Sequence, residues 1–164
     1  IAPGTVYFAP PDYHLLVDAG PRLALSVDAP VHFSRPSIDV LFESAADQYG
    51  ERLLGILLSG ANEDGARGLQ AIAAAGGLVV VQDPASASMP AMPHAALARV
   101  AVHHVLPPAG IADLLAHLQQ HGQGTLTLCG ERSAQRFEAR PRSLGSKISS
   151  LFGRLRPSTV LEKL

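Results

Sequence analysis

The 164 residues are 47% apolar and 16% charged, with 5% aromatics and no Trp, so one sizeable core built from Ala, Leu and Val is expected. A net charge of −1 argues against a dedicated nucleic-acid binder. One cysteine, Cys129, excludes an internal disulfide and fits a reducing cytoplasm, and no apolar run reaches the roughly 20 residues a membrane span needs.

The chain opens with Ile1-Ala2-Pro3-Gly4, with no initiator Met and no basic segment leading an apolar stretch. That reads as a cut fragment without a signal peptide. Val6-Tyr7-Phe8-Ala9 is a β-prone run closed by Pro10-Pro11. His14–Val17 and Leu23–Val27 flank Asp18-Ala19-Gly20-Pro21, the pattern of a hairpin. Ser37 follows Pro36 as a candidate N-cap, and Ile38, Leu41, Phe42 and Ala45 recur at helical spacing until Gly50.

Leu53–Leu58 is a continuous apolar run, as expected of a parallel strand buried on both faces. A helix follows over 66–75, stopped by Gly76-Gly77, and then a strand at Leu78–Val81. Residues 84–93 read as a loop, 95–99 as a short helix and 102–106 as a strand. Pro107-Pro108 then opens a helix with Ile111, Leu114, Leu115 and Leu118 on one face. This alternation predicts a doubly wound, mostly parallel α/β sheet with helices on both faces, plus the hairpin.

Charge is uneven along the chain. Residues 1–130 hold five Lys/Arg against eleven Asp/Glu, a net of −6, while residues 131–164 hold eight against three, a net of +5. The expected organisation is a domain over 1–118 and a basic tail or linker over 119–164, largely disordered. Within the tail, Lys147-Ile148 and Leu151–Leu155 have the makings of a short basic amphipathic helix.

Sites in open α/β sheets lie at the carboxyl ends of the strands. The strand Leu53–Leu58 runs into Ser59-Gly60-Ala61-Asn62-Glu63-Asp64-Gly65-Ala66-Arg67-Gly68, and three readings compete for it. Gly60 and Gly65 have P-loop spacing, but Ala66-Arg67 stands where Lys-Ser/Thr is needed, and Glu63 and Asp64 would repel an anion. Asp64, just ahead of a helix, is a good N-cap. A carboxylate at a strand end also serves to orient a histidine, while backbone N–H groups in a Gly-flanked turn form an oxyanion hole.

Four segments, in order and suitably spaced, resemble the CheB methylesterase family. Gly4-Thr5-Val6-Tyr7-Phe8-Ala9-Pro10 with His14-Leu15 is similar to its G-x-x-Y-I-A-P…H-L/M segment. Arg35-Pro36-Ser37-Ile38-Asp39-Val40-Leu41-Phe42 is similar to its R-P-S-V-D-V-L-F. The Ser59–Ala66 loop resembles its T/S-G-x-x-x-D-G-A. Gln82-Asp83-Pro84-Ala85-Ser86-Ala87 with Met92-Pro93-His94-Ala95-Ala96 resembles its last segment. The resemblance spans about residues 4–118.

It implies a cytoplasmic Ser–His–Asp hydrolase acting on glutamate methyl esters, and on some glutamines, of chemoreceptor helices. It needs no cofactor and no metal. On this match Asp64 is the triad aspartate, and the backbone N–H groups of Ala61 and Asn62 form the oxyanion hole. Ala61 stands where many members have Met, and Asn62 where many have Gly. A receiver domain or a methyltransferase is the further partner the resemblance suggests.

The family's serine and histidine motifs precede the first matched segment and are absent from this sequence. Ser59 takes the place of the family's own Thr/Ser and is no substitute nucleophile. His14, His32, His94, His103, His104, His117 and His121 give no metal-ligand spacing. His14 and His94 are the best placed to lie near a site, but a packing or surface role is expected of all seven. Residues 1–164 alone should carry no activity and little stability. Two other classes of function stay open: a non-catalytic relative that binds receptors or a methyltransferase, and a small-molecule-binding α/β domain.

Overall fold

The computed structural model describes residues 1–2, 5–20 and 22–121. The expectations for the basic tail and for Cys129 lie outside the described residues. Strands β1 (His14–Asp18) and β2 (Arg22–Ser26) form the antiparallel hairpin, with His14 opposite Ser26 and Asp18 opposite Arg22. Strands β3 (Leu54–Leu57), β4 (Leu78–Gln82) and β5 (His104–Leu106) form a parallel sheet in the order β3-β4-β5. Helices α1 (Ile38–Tyr49), α2 (Ala66–Ala74), α3 (Ala91–Arg99) and α4 (Pro108–His121) complete the α/β alternation.

The strands' period-two alternation divides the core into two layers. Leu53, Leu57, Val79 and Val81 face α1, α2 and α3, in one cluster with Leu41, Phe42, Leu69, Ile72 and Met92. Leu54, Ile56, Leu78 and Val80 face the other way, against Ile111 and Leu114 of α4. Helices therefore cover both faces, as the continuous apolar runs require. The hairpin joins the first layer through Leu15 and Val17. It is tied to α1 by the Val17 N–H, which donates to Ser44 Oγ at 3.1 Å.

Three sequence expectations shift. Val6–Ala9 forms no strand, and Val6 and Phe8 are exposed. The run pairs with no strand among the described residues, and Pro10-Pro11 closes it to extension. α3 starts at Ala91 rather than Ala95. Pro93 lies in its first turn, where a missing N–H forfeits no helical bond. α4 runs on to His121, beyond Leu118, the last residue of its expected apolar face.

Leu78 N–H donates to Leu53 O at 2.8 Å, across a register that sets Leu54 opposite Leu78. In a parallel ladder this turns the backbone groups of 53, 55 and 57 toward β4, and those of Leu54 and Ile56 away from it. The outer edge of β3 has no paired strand among the described residues. An apolar strand with an unpaired edge invites association. Residues 1–164 expressed alone should therefore melt without cooperativity or self-associate. A sharp thermal transition from a species that light scattering finds monomeric would contradict this.

Burial, and secondarily the neighbouring His103, holds His104 below its ordinary value of 6.5. The unfolded chain thus binds this proton more readily than the fold does. The contribution of His104 to stability is complete above pH about 6.5 and is lost as pH falls toward the lower folded value. Comparing melting temperatures of the full-length protein and its His104→Gln variant at pH 7.5 and pH 5 should give the variant the smaller acid-induced drop.

Candidate active site

The site grows from the carboxyl end of β3. Asp64 is 1% exposed, and both of its carboxylate oxygens accept hydrogen bonds from the start of α1. Ser37 Oγ–H donates to Oδ1 at 2.7 Å and the Asp39 N–H at 3.0 Å, while the Ile38 N–H donates to Oδ2 at 2.8 Å. Asp64 is thus a helix cap, but of α1 across the fold rather than of α2, the helix it precedes. Ser37 holds the N-cap position of α1 without a side-chain bond to its own helix. Its hydroxyl fastens Asp64 instead.

Asp39 answers in the opposite direction. It is fully buried, and its Oδ1 accepts the N–H of Gly65 at 2.9 Å and of Gly68 at 2.7 Å. Each carboxylate therefore caps the other's helix. The partial positive charge at each helix N-terminus helps two buried carboxylates stand side by side. Asp39 Oδ2 makes no hydrogen bond, but His32 Nε2 lies 3.5 Å and Arg67 Nε 3.8 Å from it. Two glycines make the approach possible. A Cβ at Gly68 would stand 2.5 Å from Phe42 Cβ. Gly65 has φ +92°, and a Cβ there would stand 2.5 Å from Leu57 Cδ1.

Of the predicted oxyanion donors, Ala61 is exposed and Asn62 half-buried. Asn62 Oδ1 accepts the Asp64 N–H at 3.1 Å, closing an Asx turn. The N–H groups of Ala61 and Asn62 have no acceptor among the described residues. Gly60 is pinned by backbone bonds to Met89 O at 2.9 Å and from Met92 N–H at 3.0 Å, which join the loop to the start of α3. Buried Gln82 holds the ends of β3 and β4 together. Its Oε1 accepts the Ser59 N–H at 2.9 Å, and its Nε2 donates to Ser86 O at 3.1 Å.

Ser59 Oγ pairs with Ser88 Oγ at 3.0 Å and accepts the Met89 N–H at 3.0 Å, with no histidine among its partners. His14 lies near the site but is structural. Its Nδ1 accepts the Ser37 N–H at 3.2 Å, so the ring proton sits on Nε2, bonded to Ala29 O at 3.1 Å. His94 is exposed on α3. Sequence reasoning passed over Ser37, Asp39 and His32 as site residues. The spacing Ser37-x-Asp39 at a helix start was the available signal for the first two. Nothing local marked His32.

A parallel α/β sheet with a buried, oriented carboxylate and unengaged N–H groups in the turn beyond one strand defines a class: an α/β domain with its candidate site at the carboxyl edge of the sheet. The chain belongs to the CheB methylesterase family, whose pattern it matches over residues 1–115. A putative protein-glutamate methylesterase/protein-glutamine glutaminase of Leptospira interrogans (strain Fiocruz L1-130) is 48% identical over 121 residues, covering 74% of this chain and 63% of that protein. The protein-glutamate methylesterase FrzG of Myxococcus xanthus is 44% identical over 115 residues, covering 70% of this chain and 34% of that protein. The crystal structure of the Thermotoga maritima CheB methylesterase catalytic domain superposes with a TM-score of 0.69 at 28% identity, over 72% of this chain and 64% of that one. The chain thus spans just under two thirds of the Leptospira protein and about a third of the Myxococcus one.

Replacing Asp39 by Ala strands two buried N–H groups, those of Gly65 and Gly68. A loss of about 2–4 kcal/mol in denaturant unfolding of the full-length protein is expected, with Asp39→Asn, which keeps one acceptor oxygen, losing clearly less. Equal losses in the two variants would mean that the caps contribute little.

Proposed function

We propose that this chain supplies the aspartate and the oxyanion donors of a protein-glutamate methylesterase, the nucleophilic serine and the basic histidine lying outside residues 1–164. The serine oxygen attacks the γ-ester carbonyl while the histidine takes its proton. Asp64 holds the imidazole in the correct tautomer and balances its charge. The N–H groups of Ala61 and Asn62 stabilise the oxyanion. The C–OCH₃ bond breaks, and methanol leaves with the proton from the imidazolium. Water then hydrolyses the acyl-enzyme, restoring the serine and releasing glutamate. Deamidation of glutamine follows the same course, with ammonia as the leaving group.

The observation that carries this reading is the environment of Asp64. Three donors fix its plane, yet Oδ2 accepts only one of them, leaving a lone pair for a fourth donor such as an imidazole N–H. The names of the relatives support the substrate class, and the substrates proposed are methyl-esterified chemoreceptor helices in the cytoplasm. A receiver domain or a methyltransferase is the proposed partner within the longer proteins of this family.

The test is Asp64→Asn in the full-length protein, read as methanol release from esterified receptors. Turnover should fall by about 10²- to 10⁴-fold, because an amide neither sets the tautomer nor balances the imidazolium. An asparagine serves as an α1 cap less well than its N-cap propensity suggests. Its single oxygen replaces two that both accept, so a stability loss of about 1–3 kcal/mol accompanies the change. Turnover is therefore compared on protein whose circular dichroism is native. Near-normal turnover would leave Asp64 a cap and nothing more. Receptor binding by the unsubstituted protein without methanol release would identify the non-catalytic alternative.

A further inference from the structure

Next to the Asp64 loop stands a turn that the proposed mechanism does not use. Val31 and Ser34 bond each other in both directions, N–H to O at 3.1 and 2.9 Å, closing a two-residue turn over His32 and Phe33. Both central residues adopt left-handed backbone, at φ 48° and 61°. That conformation is the province of Gly and Asn, and two bulkier residues in succession hold it against their intrinsic preference. Its base is anchored by Arg35 Nη1, which donates to Val27 O at 2.7 Å and Asp28 O at 3.0 Å. The anchor to the site is His32, whose ring stands 3.5 Å from both Asp39 Oδ2 and Glu63 Oε1. Glu63 immediately precedes Asp64.

The geometry keeps Phe33 outside. Its relative exposure is 104%, the highest of the exposed large apolar residues among those described. Scattered exposed apolar residues need no explanation, but this one crowns an anchored turn whose His32 ring lies 3.5 Å from Glu63 of the Asp64 loop. An exposed aromatic on an anchored backbone is a good anchor for a protein partner, because the turn need not be ordered on contact.

We infer that Phe33 is a specificity-determining residue, docking on the apolar surface beside the modified glutamate of the protein substrate. The inference rests on the methylesterase reading and names how that site tells a protein ester from a free one. A glutamyl ester seated against Ala61 and Asn62 brings its own chain to the rim of the loop. If that chain is helical, residues three and four positions away lie about 5–6 Å from the esterified one. The turn bolted to Glu63 meets them there.

The experiment uses the full-length protein and its Phe33→Ala and Phe33→Leu variants. Three quantities are measured: kcat and KM on a methyl-esterified chemoreceptor fragment, the same on the γ-methyl ester of N-acetylglutamate amide, and the thermal midpoint. For Phe33→Ala, kcat/KM on the receptor fragment should fall at least about tenfold, mainly through KM. Hydrolysis of the small ester should stay within about twofold and the midpoint should hold, with Phe33→Leu intermediate on the receptor. Equal losses on both substrates with a lower midpoint would mean that Phe33 is covered by another part of its own protein, and the assignment fails. An active protein indifferent to Phe33 also overturns it, while leaving the methylesterase reading intact. An unsubstituted protein that hydrolyses neither ester defeats both.

Discussion

The reciprocal capping of Asp39 and Asp64 is the constraint on which the rest of the molecule turns. One carboxylate closes the N-terminus of α1 and the other that of α2, each reaching across from the opposite helix. Removing the pair would strand several N–H groups in a buried place, which is far costlier than losing an exposed cap. The arrangement also explains the small residues around it. Gly65 and Gly68 are where the chains of α1 and α2 come too close for a side chain. The helices are locked together at the ends from which the site is built.

That lock gives the Asp64 carboxylate its orientation, because three short hydrogen bonds keep it from rotating. Gln82, Ser59 and Ser88 do the equivalent for the neighbouring loops, tying the ends of β3 and β4 to the stretch that leads into α3. His14 continues the same web by bonding the Ser37 N–H. The His14 imidazole and the Ser37 hydroxyl are thus spent on positioning.

The sheet tells the same story from the other side. β4 is paired on both edges, whereas β3 is paired only with β4 among the described residues. Yet Leu54 and Ile56 are as buried as residues of a central strand. The Asp64 loop therefore leaves the sheet from a strand whose outer edge suits a further strand.

Sequence alone was enough for the alternation of elements, since apolar periodicity and Gly or Pro breaks are local signals. Ile38, Leu41, Phe42 and Ala45 marked α1, and the unbroken apolar run of β3 marked a strand buried on both faces. It was also enough to pick out the Asp64 loop, because residue types and spacing carry a family pattern without coordinates. It misplaced the start of α3, because Pro93 reads as a breaker until it is seen to occupy a first turn. It had Asp64 capping the wrong helix, because a cap's acceptor and donors here lie 25 and 26 residues apart in sequence. Tertiary structure alone decided that Ser37 and Asp39 bond to the Asp64 loop, that His14 is bonded at both ring nitrogens, and that the His32 ring comes to 3.5 Å from Asp39 and Glu63. Each of these is a meeting of residues distant along the chain, and only the packed helices and sheet determine which distant groups come within hydrogen-bonding reach.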